Sequence, residues 1–377
     1  MTRSKTALGE LFVVGSSKRV LKSQWKNDGV PFYRGREITR LANDGFVDNE
    51  LFISEELYAE YAEKYGVPRA ADIVITAIGT IGNSYIVREG DRFYFKDASV
   101  LWLKKKNEVS SEFINLWLKS PQFFDQLDTG NGATVDTLTI QKLQSVQVDL
   151  PSLSEQQRIV GILDEAFDGI ATANANAEQN LQNARALFES HLQSVFTQRG
   201  EGWVEKPIGQ CFKVRSGDFL PAKAMVLAGD VDVYGGNGIN GKHDQKNLSD
   251  ENIIIGRVGA KCGNVRFVRG DLWLTDNAFH ISEYFQSFYL PFLARLLELK
   301  QLRGTANQAA QPVISYTTIK EVILNFPSLL DEQKRIADGL DELEVETQRL
   351  ESLYQRKLAT LAELKKSLLH QAFSGVL

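Results

Sequence analysis

Pro151-Ser152-Leu153-Ser154-Glu155-Gln156-Gln157-Arg158-Ile159 opens a long helical pattern, and the chain returns to it as Pro327-Ser328-Leu329-Leu330-Asp331-Glu332-Gln333-Lys334-Arg335-Ile336. Past the proline and one inserted residue the register is constant: Leu163 matches Leu340, Leu181 matches Leu358, Leu187 matches Leu364 and Phe196 matches Phe373. A gap-free repeat of this length marks two copies of one structural unit. Each proline closes an extended segment, because the residue before it avoids the α region. Ser154 with Gln157, and Asp331 with Glu332, are suited to begin the helices. Apolar or small residues then alternate at three and four: Ile159, Leu163, Ala166, Ile170, Ala173 and Ala177, then Ile336, Leu340, Leu343, Thr347, Leu350 and Tyr354. That is a coiled-coil seam, sustained far beyond an ordinary globular helix.

The repeat extends outside the helices. Leu8-Gly9-Glu10-Leu11-Phe12 resembles Ile208-Gly209-Gln210-Cys211-Phe212, and Asp72-Ile73-Val74-Ile75 through Gly82-Asn83 resembles Asn252-Ile253-Ile254-Ile255 through Gly263-Asn264. An alternating strand precedes each proline, at 146–150 and 322–326. The order is therefore globular domain (1–150), helix (151–199), globular domain (200–326), helix (327–377). Helices are expected at 54–64, 111–119 and near 290–300, and strands at 72–78, 84–88, 92–96, 99–103, 252–258 and 264–268. The fold class is α+β: two α/β domains separated by two long helices.

Length constrains the geometry. A helix from Ser154 to Gln198 is about 67 Å long at roughly 1.5 Å per residue. The roughly 130 residues that follow fold to a radius of gyration of about 14 Å. They cannot carry the chain back along that rod, so the second helix should run antiparallel to the first, with a pseudo-two-fold axis. Such an object reads two separate half-sites, and its divergent surfaces imply two different ones.

Composition narrows the function classes. No apolar run reaches membrane-spanning length, and the first residues lack the apolar stretch of a signal peptide. Two cysteines form no disulfide framework, which points to a reducing cytoplasm. The net charge is −5. Six acids stand against three bases in 154–200, and nine against seven in 330–377, so the helices carry the whole excess. The neutral remainder permits a basic face.

Catalytic signatures are missing. Gly236-Asn237-Gly238-Ile239-Asn240-Gly241-Lys242-His243 nearly spells a P-loop, but His243 stands where a Ser or Thr would hold magnesium. It reads as a flexible loop, or equally as a plain turn between strands. The four histidines are scattered without zinc spacing, and no nucleophile elbow, dinucleotide fingerprint or amino-methyltransferase motif occurs. The chain is expected to catalyse nothing.

Basic and amide residues gather outside the helices, and as a set they favour DNA. In the first half the candidates are Lys18, Arg19, Arg34, Arg36, Arg40 and Lys104; in the second they are Asn237, Asn240, Lys242, His243, Arg257, Lys261, Arg303, Gln308 and Gln311. Arg can grip guanine and Asn or Gln adenine, while Lys mostly neutralises phosphate. Singly, each is better explained as a solvated surface charge. In the last third of each helix the apolar stripe doubles, at Phe188, Leu192 and Phe196 and at Leu369 and Phe373. The additional stripe must dock either on the protein's own globular domain or on helices of a partner.

The paired Pro-Ser-Leu…Glu-Gln-x-x-Ile entries, the long helices and the glycine-rich segment ending in Gly-Asn in each half (Gly79 to Asn83, Gly259 to Asn264) resemble the specificity subunit of type I restriction–modification systems. That resemblance covers essentially the whole chain. It implies two target-recognition domains, each reading half of an interrupted double-stranded DNA sequence. It implies helices that space them and dock two modification (methyltransferase) subunits, with restriction subunits (translocase and nuclease) as further partners. S-adenosylmethionine, ATP and Mg would then sit on those partners and none on this chain. Ala77 stands where Arg257 stands in the second half, so base contacts cannot be copied between halves. A DNA-binding or tethering protein without methyltransferase partners is the rival; it leaves the doubled stripe unexplained.

Overall fold

The computed structural model describes residues 4–127, 137–197, 200, 202–226, 228–307 and 311–377. Two compact units divide the chain: Met1–Glu178 with Arg356–Leu377, and Gln179–Gln355.

In the first unit Ser4–Ala7 pairs antiparallel with Gln147–Leu150. An antiparallel sheet follows in the order Phe12–Gly15, Val100–Lys105, Ile73–Thr76, Ser84–Ile86. A smaller sheet orders Phe52–Ile53, Val30–Tyr33, Tyr94–Phe95, its last pair parallel. The second unit repeats this plan strand for strand. Trp203–Pro207 pairs with Ile323–Pro327; the larger sheet orders Phe212–Ser216, Ala278–Tyr284, Glu251–Gly256, Val265–Arg269; the smaller orders Gly238–His243, Val231–Gly235, Leu272–Leu274.

Central strands of the larger sheets are buried on both faces, which is why they read as continuous apolar runs rather than alternating ones. Ile73 and Ile75 join one core with Leu8 and Phe113, while Val74 joins another with Ile38 and Tyr85. Likewise Ile253 and Ile255 face Phe292, and Ile254 faces Leu272 and Leu274.

The expected helices lie at Glu55–Tyr65, Ser111–Trp117 and Leu290–Leu299. Ser54 and Ser110 cap the first two by accepting from the N–H of Leu57 and Phe113. A helix at Gly35–Asp44 lies where only a run of basic residues had been noted. Of the two readings of the glycine-rich stretch, flexible loop and turn between strands, the second holds: Gly238–His243 forms a hairpin with Val231–Gly235. The two units differ most here: a tight hairpin in the second, helices after both corresponding strands in the first.

Both long helices hold 45 residues, Leu153–Thr197 and Leu330–Ser374. The first is entered through Ser152, whose hydroxyl accepts from Glu155 N at 3.4 Å, so the cap lies two residues before Ser154. Leu163, Ile170, Ala177 and Ala184 are buried at heptad spacing, as are Leu340 and Thr347. Within each unit the two helical segments run antiparallel. In the first, Lys365 lies over the Phe167 ring at 4.9 Å, and Ile159 and Leu163 share a core with Leu369 and Phe373. In the second, Arg185 pairs with Glu351 at 3.1 Å, and His191 and Val195 share a cleft with Ile336 and Leu340.

Burial settles where much of the doubled stripe goes. Leu369 and Phe373 are buried in the first unit's core, Phe373 edge-on to Phe113 with ring centroids 5.2 Å apart. Phe196 packs on the second unit's core against Phe292, centroids 5.4 Å apart. Leu369 and Phe373 are therefore corrected from partner-docking to internal packing, since their apolar area is already removed from water, whereas Phe196 is only half-buried. Phe188 and Leu192 remain half-buried, and Leu187 and Leu364 are exposed.

Candidate nucleic-acid interface

The two glycine segments that end in Gly-Asn, Gly79 to Asn83 and the one-residue-longer Gly259 to Asn264, form a loop at the same place in each unit. In the second, Gly256 to Asn264 connects two strands of the larger sheet. Arg257 N–H donates to the Asn277 carbonyl at 2.9 Å, Gly263 N–H to the Gly256 carbonyl at 2.7 Å, and Ile314 N–H to the Arg257 carbonyl at 3.0 Å. In the first unit Ala77 N–H donates to Ser99 at 2.9 Å and Leu138 N–H to Ala77 at 2.8 Å. Ala77 and Arg257 thus occupy equivalent backbone positions. The tips are open: Ile78, Gly79 and Thr80 are exposed, as are Ala260 and Lys261.

Five of the second unit's candidates meet around this loop. Arg257 is half-buried, its guanidinium 5.6 Å from the Phe279 ring centre and donating to the Asp276 carbonyl at 3.1 Å. Arg303 donates to the Ala260 carbonyl. Asn237 sits in the neighbouring turn, its own carbonyl accepting from Arg266 at 2.9 Å. Gln311 is exposed beside Pro312, whose carbonyl accepts from Gly259 at 2.9 Å, and Lys261 is exposed in the loop itself. Guanidinium, ammonium and carboxamide groups on one surface match the donors that phosphates and base edges accept.

The other candidates do not join them. Lys242 pairs with Asp232 at 2.7 Å on the hairpin. Asn240 is exposed on the same strand, its carboxamide lying close to Gly235. His243 is corrected outright: it is buried edge-on to Trp273, with centroids 5.1 Å apart, and presents nothing to DNA. Gln308 lies outside the described residues. Asn264 and Asn277 are parts of the site that counting basic residues missed; the repeat of Asn83 at Asn264 pointed to the first of them.

In the first unit Arg34 and Arg36 flank Gly35, whose Cβ position would lie 3.9 Å from the Ile78 carbonyl. The Gly35–Asp44 helix leans on the loop through Asn83, which donates to the Thr39 hydroxyl at 3.1 Å. Arg40 is exposed on that helix. Arg19 pairs with Asp97 at 2.8 Å, two residues before Ser99, and Lys18 lies 5.7 Å from the Tyr65 ring centre. Lys104 lies over the Trp102 ring at 5.8 Å, near the far end of Val100–Lys105, so it is roughly 15 Å from the loop at about 3.3 Å per residue. It does not join the others at the loop.

Glu37 organises the first unit's arginines. It is buried, accepts from Arg34 Nη2 at 2.9 Å, Arg36 Nε at 2.5 Å and the Arg34 N–H at 2.8 Å, and caps its own helix. Burial alone would raise its carboxyl, but the hydrogen bonds from Arg34 and Arg36 outweigh that and hold it below its ordinary value. A depressed folded-state pKa contributes stability above the unfolded carboxylate value of about 4.3, and the contribution is lost as pH falls through the folded value. Thermal melts across about pH 3 to 7 should therefore show an acid-side loss that Glu37→Gln flattens. Identical profiles for the two proteins would mean Glu37 is not the group responsible.

The comparisons place the chain. The family model described as type I restriction modification DNA specificity domain matches twice, over residues 4–183 and 200–357. A putative type I restriction enzyme specificity subunit of Haemophilus influenzae is 32% identical over 159 residues, covering 42% of this chain and 38% of the relative. The EcoprrI specificity subunit of Escherichia coli is 28% identical over 226 residues, 56% of each protein. The matches thus span about half or less of those relatives. Two solved structures share the fold at 17% identity. A chain of a type I restriction–modification system, described for its complex assembly and conformational transition, covers 99% of this chain and 98% of its own with a TM-score of 0.77. The HsdS subunit of Thermoanaerobacter tengcongensis covers 100% and 97% with a TM-score of 0.68. With the family's domain matched in both halves, on the same strand plan and the same glycine loop, the chain belongs to the type I restriction–modification DNA specificity family.

Proposed function

We propose that this chain is the DNA-recognition subunit of a type I restriction–modification complex, each unit reading one half of a bipartite target. One observation carries this: the same loop framework occurs twice with different side chains around it, Arg257, Lys261, Arg303 and Asn237 in one copy and Arg34, Arg36 and Arg40 in the other. A shared scaffold with unlike donor sets reads unlike sequences. The long helices dock adenine methyltransferase subunits, and Leu187, Phe188, Leu192 and Leu364 supply apolar area still reachable by a partner. The chain itself is non-catalytic in this proposal. S-adenosylmethionine binds the methyltransferase subunits, and restriction subunits bring ATP and Mg.

Purification of the native protein from its source cell tests this directly. A methyltransferase should co-purify and survive washes that remove DNA. A pure chain that binds DNA with no such companion would favour the tethering alternative.

A further inference from the structure

Gln156 and Gln333 occupy matching positions in the first turns of the two long helices and are among the few buried polar side chains, at 2% and 0% exposure. Each makes the same pair of bonds. Gln156 donates from Nε2 to the Pro151 carbonyl at 2.9 Å and accepts at Oε1 from the Ser110 N–H at 2.9 Å. Gln333 donates to the Pro327 carbonyl at 2.9 Å and accepts from the Tyr289 N–H at 2.9 Å. A backbone acceptor on one side and a backbone donor on the other fix the amide's orientation, and only a carboxamide meets both.

The acceptor bond reaches a particular place. Ser110 and Tyr289 are the N-cap residues of helices Ser111–Trp117 and Leu290–Leu299. Those helices pack on Ser84–Ile86 and on Val265–Arg269, the strands that leave the two glycine loops. Each glutamine therefore links the root of a rod, through one short helix and one strand, to the loop that carries the candidate DNA contacts. Two loosely similar domains have diverged around this link, yet its geometry is the same in both.

We infer that Gln156 and Gln333 are positioning residues that set the angle between each long helix and its recognition loop, and so the half-site separation the protein accepts. This rests on the DNA-recognition function proposed above. Replacing either with methionine keeps volume but leaves a buried N–H and a buried carbonyl without partners. The domain then finds other seatings on the rod, and discrimination by spacing relaxes while base preference within each half-site persists.

The test uses the full chain assembled with its methyltransferase, assayed on duplexes carrying the wild-type target or the same half-sites with the spacer one base pair longer or shorter. Wild type should methylate the correct spacing and discriminate against the others. In Gln156→Met and Gln333→Met the ratio of correct to altered spacing should fall about fivefold to a hundredfold, the range set by two lost net hydrogen bonds. If the methionine variants do not assemble, Gln156→Glu and Gln333→Glu keep an acceptor for the Ser110 or Tyr289 N–H, and the same ratio is read. A uniform fall in rate with the ratio unchanged means a merely structural role and overturns the inference while leaving DNA recognition standing. A wild-type complex that methylates no bipartite target overturns both.

Discussion

Replacing Phe373 with aspartate is expected to unfold the first unit rather than to release a partner. Its ring is 4% exposed, edge-on to Phe113, and shares a core with Ile159, Leu163 and Leu369. Removing a buried phenylalanine costs about 3–5 kcal/mol, and an unpaired carboxylate in its place costs several more. A domain stable by about 5–15 kcal/mol has little left after that. Melting followed by circular dichroism should show the transition lost or moved down by many degrees. Phe188→Asp, at a half-buried position in the helix's last third, should leave the melt nearly intact and weaken methyltransferase capture. A Phe373→Asp protein that melts like wild type but no longer holds the methyltransferase would show that the end of the second helix belongs to the partner.

The second large effect is expected from one methyl group. A Cβ at Gly256 would lie 2.1 Å from Asn264 Oδ1 and 2.2 Å from the Gly236 carbonyl, where the loop and the hairpin turn approach backbone to backbone. At Gly263, with φ +84°, it would lie 2.3 Å from Arg303 N. Overpacking costs about 1–3 kcal/mol, and a left-handed φ adds about 1 for a residue with a side chain. Gly256→Ala and Gly263→Ala should each separate Arg257, Lys261, Arg303 and Asn237 from one another. Binding to the second half-site should drop by tenfold or more, the equivalent of about 1.4 kcal/mol, with the first half-site unaffected. Titration of duplexes altered in one half at a time measures this, and an equal loss on both halves would contradict it.

What the sequence made legible follows from how local each signal is. The heptads were visible because Leu163, Ile170, Ala177 and Ala184 repeat within one helix. The glycine loops were visible because an Ile-rich strand and a Gly-Asn end occur in both halves, at Ile73 to Asn83 and Ile253 to Asn264. The hairpin was left undecided between loop and turn because Gly235, Gly236, Gly238 and Gly241 look like flexibility. At Gly236 the absent side chain serves close approach instead, with the Val258 carbonyl only 2.4 Å from where a Cβ would stand. The Gly35–Asp44 helix was hidden because Ile38 and Leu41 are its only buried apolar residues, and its other turns are charged or polar. His243 and Lys104 show the limit of counting polar residues. Which way a side chain points depends on strand pairing, and that is decided by residues far away in sequence.

Glu37 shows the same limit from the other side. It is not singled out in the sequence, yet it is buried and holds two of the first unit's arginines. Arg34 and Arg36 are thus held against one buried carboxylate. The second unit's Arg303 and Arg257 are held instead by backbone carbonyls, which do not titrate.

The most direct measurement is a genome-wide map of adenine methylation made by this chain with its methyltransferase, before and after residues 200–326 are exchanged for those of another family member. One half of the methylated motif should change, with the other half unaltered. A change in both halves, or in neither, would contradict recognition by two independent units.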